Sequence, residues 1–494
     1  MTSSLLSREP SGAVLVDAPG RPRGASGRVL VLYGRLLGPL LAGYLLLDRT
    51  WAYVHVPGTP AYIGELVLTV GALGVLTATG YLRIPVRDEP VLALLAAFFL
   101  WGLFRLPPGL RTYGTTNAVR DFALCYYCFF AFFTVAALAR APDLLDRWLA
   151  QLARFVPWLL VWLPLALVLP YHVHAPAMPF TGGDSVLNHK PGNAAIAAVL
   201  ALGFLWLFPE TRSAGSRALW STLALVTVLL SATQNRGGLL GATAAAMVGL
   251  AFLPTRDRIR LIVKTVAVLT IGLGLAVQFS LTIPTGTQGR AFTATQLIEN
   301  VTSLKGAASG SATGTAGARD LLWGLIFKQQ VADGKLVDGY GFGVNLPYLV
   351  NDTQVTGGAD PLRSPHNSHD DILARLGLIG ISLWIALWLG WYWQMVMGCR
   401  RLARRGMHAR RQAGVLCMMV VTAILVSSFF DPQLEGAQIA ALMWTAVGIG
   451  VAVTSLRGWF GRQAPAPATA ESPPQTPHWS TGQAATKGGS CRPP

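Results

Sequence analysis

The chain is 494 residues long, 52% hydrophobic and only 13% charged, with a mean hydropathy of +0.46. Soluble domains carry about 25% charged residues, so this composition excludes both a soluble multidomain protein and a disordered chain. The formal net charge of +16 fits cations gathered in the cytoplasmic loops of a membrane protein and calls for no nucleic acid.

Residues 1–28 read as a polar cytoplasmic tail rich in Gly, Pro and Arg, leading into an uncleaved first span. Apolar runs follow at 29–47, 61–81, 90–104, 122–139, 155–170, 194–208, 218–232, 237–253 and 261–283. A span takes about 20 apolar residues, so 29–283 is expected to hold spans one to nine. Residues 284–370 form a long extracytoplasmic loop or cap, with a Gly, Ala and Ser-rich tract at 306–317 and an amphipathic stretch at 319–331. Residues 371–456 hold spans ten to twelve, at 372–397, 413–430 and 437–456, and 457–494 is expected to be a disordered cytoplasmic tail. The expected fold is an all-α integral membrane protein of about twelve transmembrane helices, with the long loop before the tenth.

Placing the N-terminus inside puts Arg83, Arg87, Arg140, Arg147, Arg154, Arg212, Arg217, Arg256, Arg258, Arg260 and the cluster at 400–411 on the cytoplasmic side. The short outer loops keep only Arg49, Arg105, Arg111, Arg120, Lys190 and Arg236. A shift of one span destroys this bias, so both termini are expected in the cytoplasm. The excess of Arg over Lys, with abundant Ala and Gly, points to a GC-rich bacterial genome, and the expected location is a bacterial inner membrane. The five cysteines form no disulfide framework; Cys125 and Cys128 lie in an apolar run, where they are expected to share one helix face and pack.

The long loop meets span ten at Ser364-Pro-His-Asn-Ser-His-Asp-Asp. His366 suits general-base work near neutral pH, Asn367 can fix a tautomer or a substrate hydroxyl, and Asp371 lies about one turn into the helix. The same residues also read as a polar helix cap, with Asn367 or Ser368 satisfying free amides. A third reading is a metal site from His366, His369, Asp370 and Asp371, for which no further ligand is identifiable. Between spans seven and eight, Arg236 stands at the membrane edge before Gly237 and Gly238. An Arg is costly there and its planar fork suits phosphate, while the glycines would let backbone amides approach the same anion. An interfacial Arg meeting lipid headgroups is the competing reading.

Arg236 with Leu240 makes an R-x3-L pattern, and His366 with Gly377 an H-x10-G pattern. On these residues the chain resembles the O-antigen ligase and O-antigen polymerase superfamily. The similarity extends over Arg319, Trp323 and Gly339-Tyr340-Gly341-Phe342-Gly343, and more loosely over Lys190-Pro191-Gly192-Asn193. It is specific from about Ser231 to Gly380 and topological elsewhere. The chain departs from the family at Asp370, preceded by His369, where an apolar residue is usual.

The resemblance implies glycan transfer from a polyprenyl-diphosphate-linked donor to an acceptor hydroxyl outside the membrane, by a metal-independent inverting displacement without cofactors. It implies His366 as base with Asp371 orienting its imidazole, and Arg236 and Arg319 stabilising the leaving diphosphate. Asn367, Asp371, Lys190, Trp323 and Tyr340 would contact substrate, although Trp323 and Tyr340 equally suit packing of the cap. The implied partners are the lipid-linked donor, a glycan or lipid-linked acceptor and membrane lipids. Ligase and polymerase are not separated by the sequence. The rival reading is a transporter of a small anion or glycan, which discontinuous spans or charges near the bilayer centre would favour. Neither stands out in the sequence, and Glu65 near the outer start of span two does not change that. A non-catalytic assembly component would leave the arginine and histidine signatures unexplained.

Overall fold

Backbone amides and carbonyls in lipid have to pair within their own segment, and runs of Leu, Val, Ala and Phe do so as helices. The computed structural model describes residues 25–59, 61–78, 89–280, 282–284, 291–302, 311–350 and 363–455. The helices are α1 (Ala25–Ala52), α2 (Ile63–Thr77), α3 (Pro90–Tyr113), α4 (Thr115–Tyr126), α5 (Phe129–Arg140), α6 (Asp143–Val168), α7 (Pro191–Leu207) and α8 (Ala214–Gln234). There follow α9 (Arg236–Ala251), α10 (Thr255–Gln278), α11 (Ala294–Thr302), α12 (Ser311–Ala332), α13 (Ser368–Arg404), α14 (His408–Ser427) and α15 (Ala437–Thr454). The one strand pair described is two residues long, Ile283–Pro284 against Ala291–Phe292.

Among the described residues, α1, α3, α6, α8, α13, α14 and α15 are long and apolar enough to cross a membrane, and the bent pair α4 and α5 makes an eighth. The chain is thus an all-helical membrane protein. Every apolar run of the sequence falls on a helix, yet among the described residues the long ones number eight and not twelve: α2, α7 and α9 have only 15, 17 and 16 residues, and α10 is not among the long apolar helices. The parts of the expected tails at 1–24 and 456–494, and part of the Gly, Ala and Ser-rich tract, lie outside the described residues.

The run at 122–139 is not one helix. α4 and α5 meet at a 45° bend, and the hydroxyls of Tyr126 and Tyr127 both reach Glu65 Oε1, at 2.9 and 2.7 Å. Adjacent residues of a straight helix point about 100° apart, so the turn is what lets both reach one carboxylate. Cys125 and Cys128 flank this bend instead of sharing a regular helix face; both are buried and free.

α7 and α15 are apolar all round, and a helix of that kind belongs in the middle of a bundle. Accordingly 94% of α15 is buried, against α1, α5, α13 and α14, while α7 packs on α8, α9 and α14. Arginines mark one end of the bundle: Arg140 lies against Gly27, Arg401 donates to Thr454 O at 2.9 Å and Arg411 to Phe252 O at 2.6 Å. The polar residues singled out from the sequence lie at the opposite end.

Candidate functional site

Asn367 starts α13. Its Oδ1 accepts from the amides of His369 and Asp370 at 2.9 and 3.4 Å, and its Nδ2 donates to Asp370 Oδ2 at 2.7 Å. This is the cap reading of that residue, and it commits Asn367 and Asp370 to each other. His366, one residue before the cap, takes a left-handed φ of 57°, a conformation that a non-glycine residue holds only when its surroundings impose it. Trp323 helps to impose it, with Nε1 donating to Pro365 O at 2.6 Å. Burial, then the nearby Arg319 and Lys190, push the His366 imidazole below its ordinary pKa, with Asp431 opposing. That shift favours the neutral ring, the form able to accept a proton.

Three further segments bring cations to the same place. Arg319 on α12 donates from Nη1 to Phe430 O at 2.9 Å, and the next residue, Asp431, faces Lys190 with Oδ1 3.5 Å from Nζ. Lys190 is fixed from behind by Asp48, whose two oxygens accept from the Lys190 amide and from Asn193 Nδ2, each at 2.7 Å. Asp48 can reach them because α1 breaks its helical course there, at φ 47°. Arg236 opens α9 between two contacts: Asn235 lies against Gly192, and Gly237 against Phe430.

Those contacts correct the reading of the glycines. A Cβ on Gly237 would stand 2.8 Å from Phe430 Cβ, and the Gly238 amide already donates to Asn235 Oδ1 at 2.9 Å. Gly237 and Gly238 serve close helix packing, and the Gly238 amide is spent on the cap.

Asp371 does not orient His366. It is buried, and both its oxygens accept from Arg375 Nε, at 2.9 and 3.0 Å. Spacing of i, i+4 puts these two on one helix face, and that face turns toward α4, where Arg375 Nη1 meets Asp121 Oδ2 at 2.8 Å. Asp121 also accepts from the Gly343 amide at 3.0 Å and lies 3.5 Å from Arg363. Glu435 joins this network from the turn before α15; burial, followed by the neighbouring Asp371, raises its carboxyl to about 8.

The metal reading meets a further obstacle in His369. Its Nε2 bonds to Leu425 O at 3.0 Å and its Nδ1 accepts from Trp384 Nε1 at 3.1 Å, so both ring nitrogens are engaged. Among the described residues no three His, Cys, Asp or Glu stand together to hold a metal ion. Tyr340 holds its hydroxyl on Asp333 Oδ2 at 2.7 Å and packs against the cluster of Leu322, Ile326 and Val344.

Gly377 acquires a physical reason. It interrupts α13 with φ 67°, and a Cβ there would stand 2.2 Å from Val337 O. The interruption frees the carbonyls of Ala374, Arg375 and Leu376 for the amides of Tyr340 and Gly341 and for Trp101 Nε1, at 2.8 to 2.9 Å. In return the amides of Leu378 and Ile379 donate to Leu336 O and Val337 O. A stretch of the long loop is thereby stitched into the helix that follows it.

Sequence reasoning missed Asp48, Asp121, Arg375 and Asp431. The signal was there for the first three, each a charge inside or beside an apolar run; Asp431 carried none beyond its place at the end of one. The bend between α4 and α5 and the buried charges around Arg375 are also features that the sequence did not reveal. Compared with known families and curated proteins, the chain matches no family model and no curated sequence. What the fold and the site define is a class: a polytopic helical membrane protein with a cation-rich polar site at one end of its bundle.

Proposed function

We propose that the protein is a metal-independent inverting glycosyltransferase of the O-antigen ligase or polymerase kind, acting at the outer face of a bacterial inner membrane with both termini in the cytoplasm. The observation that carries this reading is the half-buried imidazole of His366 beside Arg319 and Lys190, which come from distant segments. A diphosphate leaving group needs fixed positive charge, and an attacking hydroxyl needs a base. The acceptor oxygen bonds to the anomeric carbon as the glycosyl–diphosphate bond breaks. Its proton passes to His366, and the electron pair departs with the diphosphate toward Arg319, Lys190 and Arg236.

The test is incubation of the purified protein with a polyprenyl-diphosphate glycan and a panel of glycan and lipid-linked acceptors, reading product size and release of free lipid diphosphate. The acceptor consumed distinguishes ligase from polymerase. No release with any acceptor would overturn the reading. The bend between α4 and α5 and the buried Asp121, Arg375 and Asp371 favour a second reading, a transporter. Movement of an intact glycan or a small anion into sealed vesicles, without diphosphate release, would establish that instead.

A further inference from the structure

A cavity of about 360 Å³ between α1, α6 and α14 is apolar but for Gln151 and Thr445, whereas a larger one of ≈ 830 Å³, at the arginine-marked end of the bundle, is amphipathic. The larger cavity opens between α10 and the arginine-marked ends of α7, α8 and α14. Arg217, Arg260, Lys264 and Arg411 line it together with one acid, Asp257, while Trp206, Leu225 and Val268 line it with apolar surface. Two of the guanidinium groups are anchored, Arg217 on Pro209 O and Arg411 on Phe252 O, each at 2.6 Å. Arg260 and Lys264 stand one turn apart on α10 with exposed side chains.

α10 packs closely on none of α7, α8 and α14. Its apolar side chains Val263, Val266 and Ile271 are 61%, 55% and 62% exposed, as on a helix that meets lipid. The cavity follows α8 from Ala214 to Leu225 and α10 from Asp257 to Val268. At 1.5 Å per residue each stretch is about 17 Å long, close to one leaflet of a hydrocarbon core about 30 Å thick.

We infer that this gap binds one anionic glycerophospholipid, its phosphate among Arg217, Arg260, Lys264 and Arg411 and its acyl chains along α8 and α10. Four cations against one acid select a net negative headgroup, since a zwitterionic one would bring its own ammonium to the same rim. The apolar length beneath the charges suits acyl chains and offers nothing to a free phosphate ion. The inference is independent of the glycan reading.

The test uses the full-length protein, purified in detergent and stripped of lipid. Its thermal midpoint and native mass spectrum are followed with dioleoylphosphatidylglycerol, dioleoylphosphatidylcholine or sodium phosphate. Phosphatidylglycerol should raise the midpoint by several degrees and remain bound one to one, and the other two should do neither. The double substitution Arg260→Gln with Lys264→Gln should weaken its apparent affinity about thirtyfold, from about 1 kcal/mol for each basic side chain. Thr222→Trp, which fills the cavity without altering its charge, should weaken it as well. Equal stabilisation by phosphatidylcholine or by phosphate alone, or undiminished phosphatidylglycerol affinity in both variants, would overturn the assignment.

Discussion

The surroundings of His366 and of Arg375 are close in sequence and opposite in electrostatics. Around His366, the cations Arg319 and Lys190 face one carboxylate, Asp431, in a half-open site. Around Arg375, the buried guanidinium meets Asp371 and Asp121, both buried, and Arg363 beside Asp121 supplies the second positive charge, so the charges answer one another within the protein. An excess of one sign beside solvent is an arrangement that a ligand of the other sign completes. Balanced charges sealed from water hold elements in place, and they become a liability only when one partner is removed. The stretch from Ser364 to Gly380 runs through both environments, so its polar residues divide between two tasks.

Breaking the sealed side should have the largest effect. Arg375→Met leaves Asp371 buried without a counter-charge and Asp121 with only Arg120 and Arg363, at a cost of about 3–5 kcal/mol. The variant should elute as aggregate or melt far below the parent, and adding Asp371→Asn and Asp121→Asn should recover much of the loss. A melt like the parent's for Arg375→Met alone would show the network to be dispensable.

His366→Ala should do the reverse, cutting glycan transfer by about 10²- to 10⁴-fold while leaving the thermal midpoint and donor binding nearly unchanged. His369→Ala, which removes only contacts to Leu425 O and Trp384, should be far milder in turnover. Full activity in His366→Ala would remove the base.

The pH profile sharpens the contrast without needing a large loss. His366 acts unprotonated, so activity falls as pH drops through its folded pKa, which burial, Arg319 and Lys190 hold below the ordinary 6.5. Arg319→Gln removes a cation and should move the acid limb of kcat/KM to higher pH. Asp431→Asn removes the opposing anion and should move it lower. If the limb stays put in both, a different group sets it.

The smallest effect belongs to the cap. Asn367→Ala should cost about 1 kcal/mol of stability, measured by thermal melting, because two amides at the start of α13 lose their acceptor. A greater loss of turnover than of stability would show that the cap also holds the His366 turn in register.

The positions of the helices were legible because an apolar run of sufficient length in lipid has little choice but to coil. Asn367 was legible as a cap because capping depends on residues two or three positions away. The 45° bend was not, since it answers to Glu65 on another helix. Nor was the second partner of Arg375, because Asp121 comes from a segment far away in the chain. His366, Arg319 and Lys190 belong to separate motifs, and only the fold reveals that they meet beside Asp431.

The stitch at Gly377 also imposes an order on biosynthesis. Ala374, Arg375 and Leu376 offer carbonyls, and Leu378 and Ile379 amides, that their own helix leaves unpaired. Entering hydrocarbon bare, each such group would cost several kcal/mol. Translation runs from the N-terminus, so Trp101 and the stretch at 336–341 leave the ribosome before α13 does, and the complementary groups are in the membrane compartment when the interruption arrives. A circular permutant that delivered α13 ahead of them would present that interruption to the insertion machinery with no partner yet made.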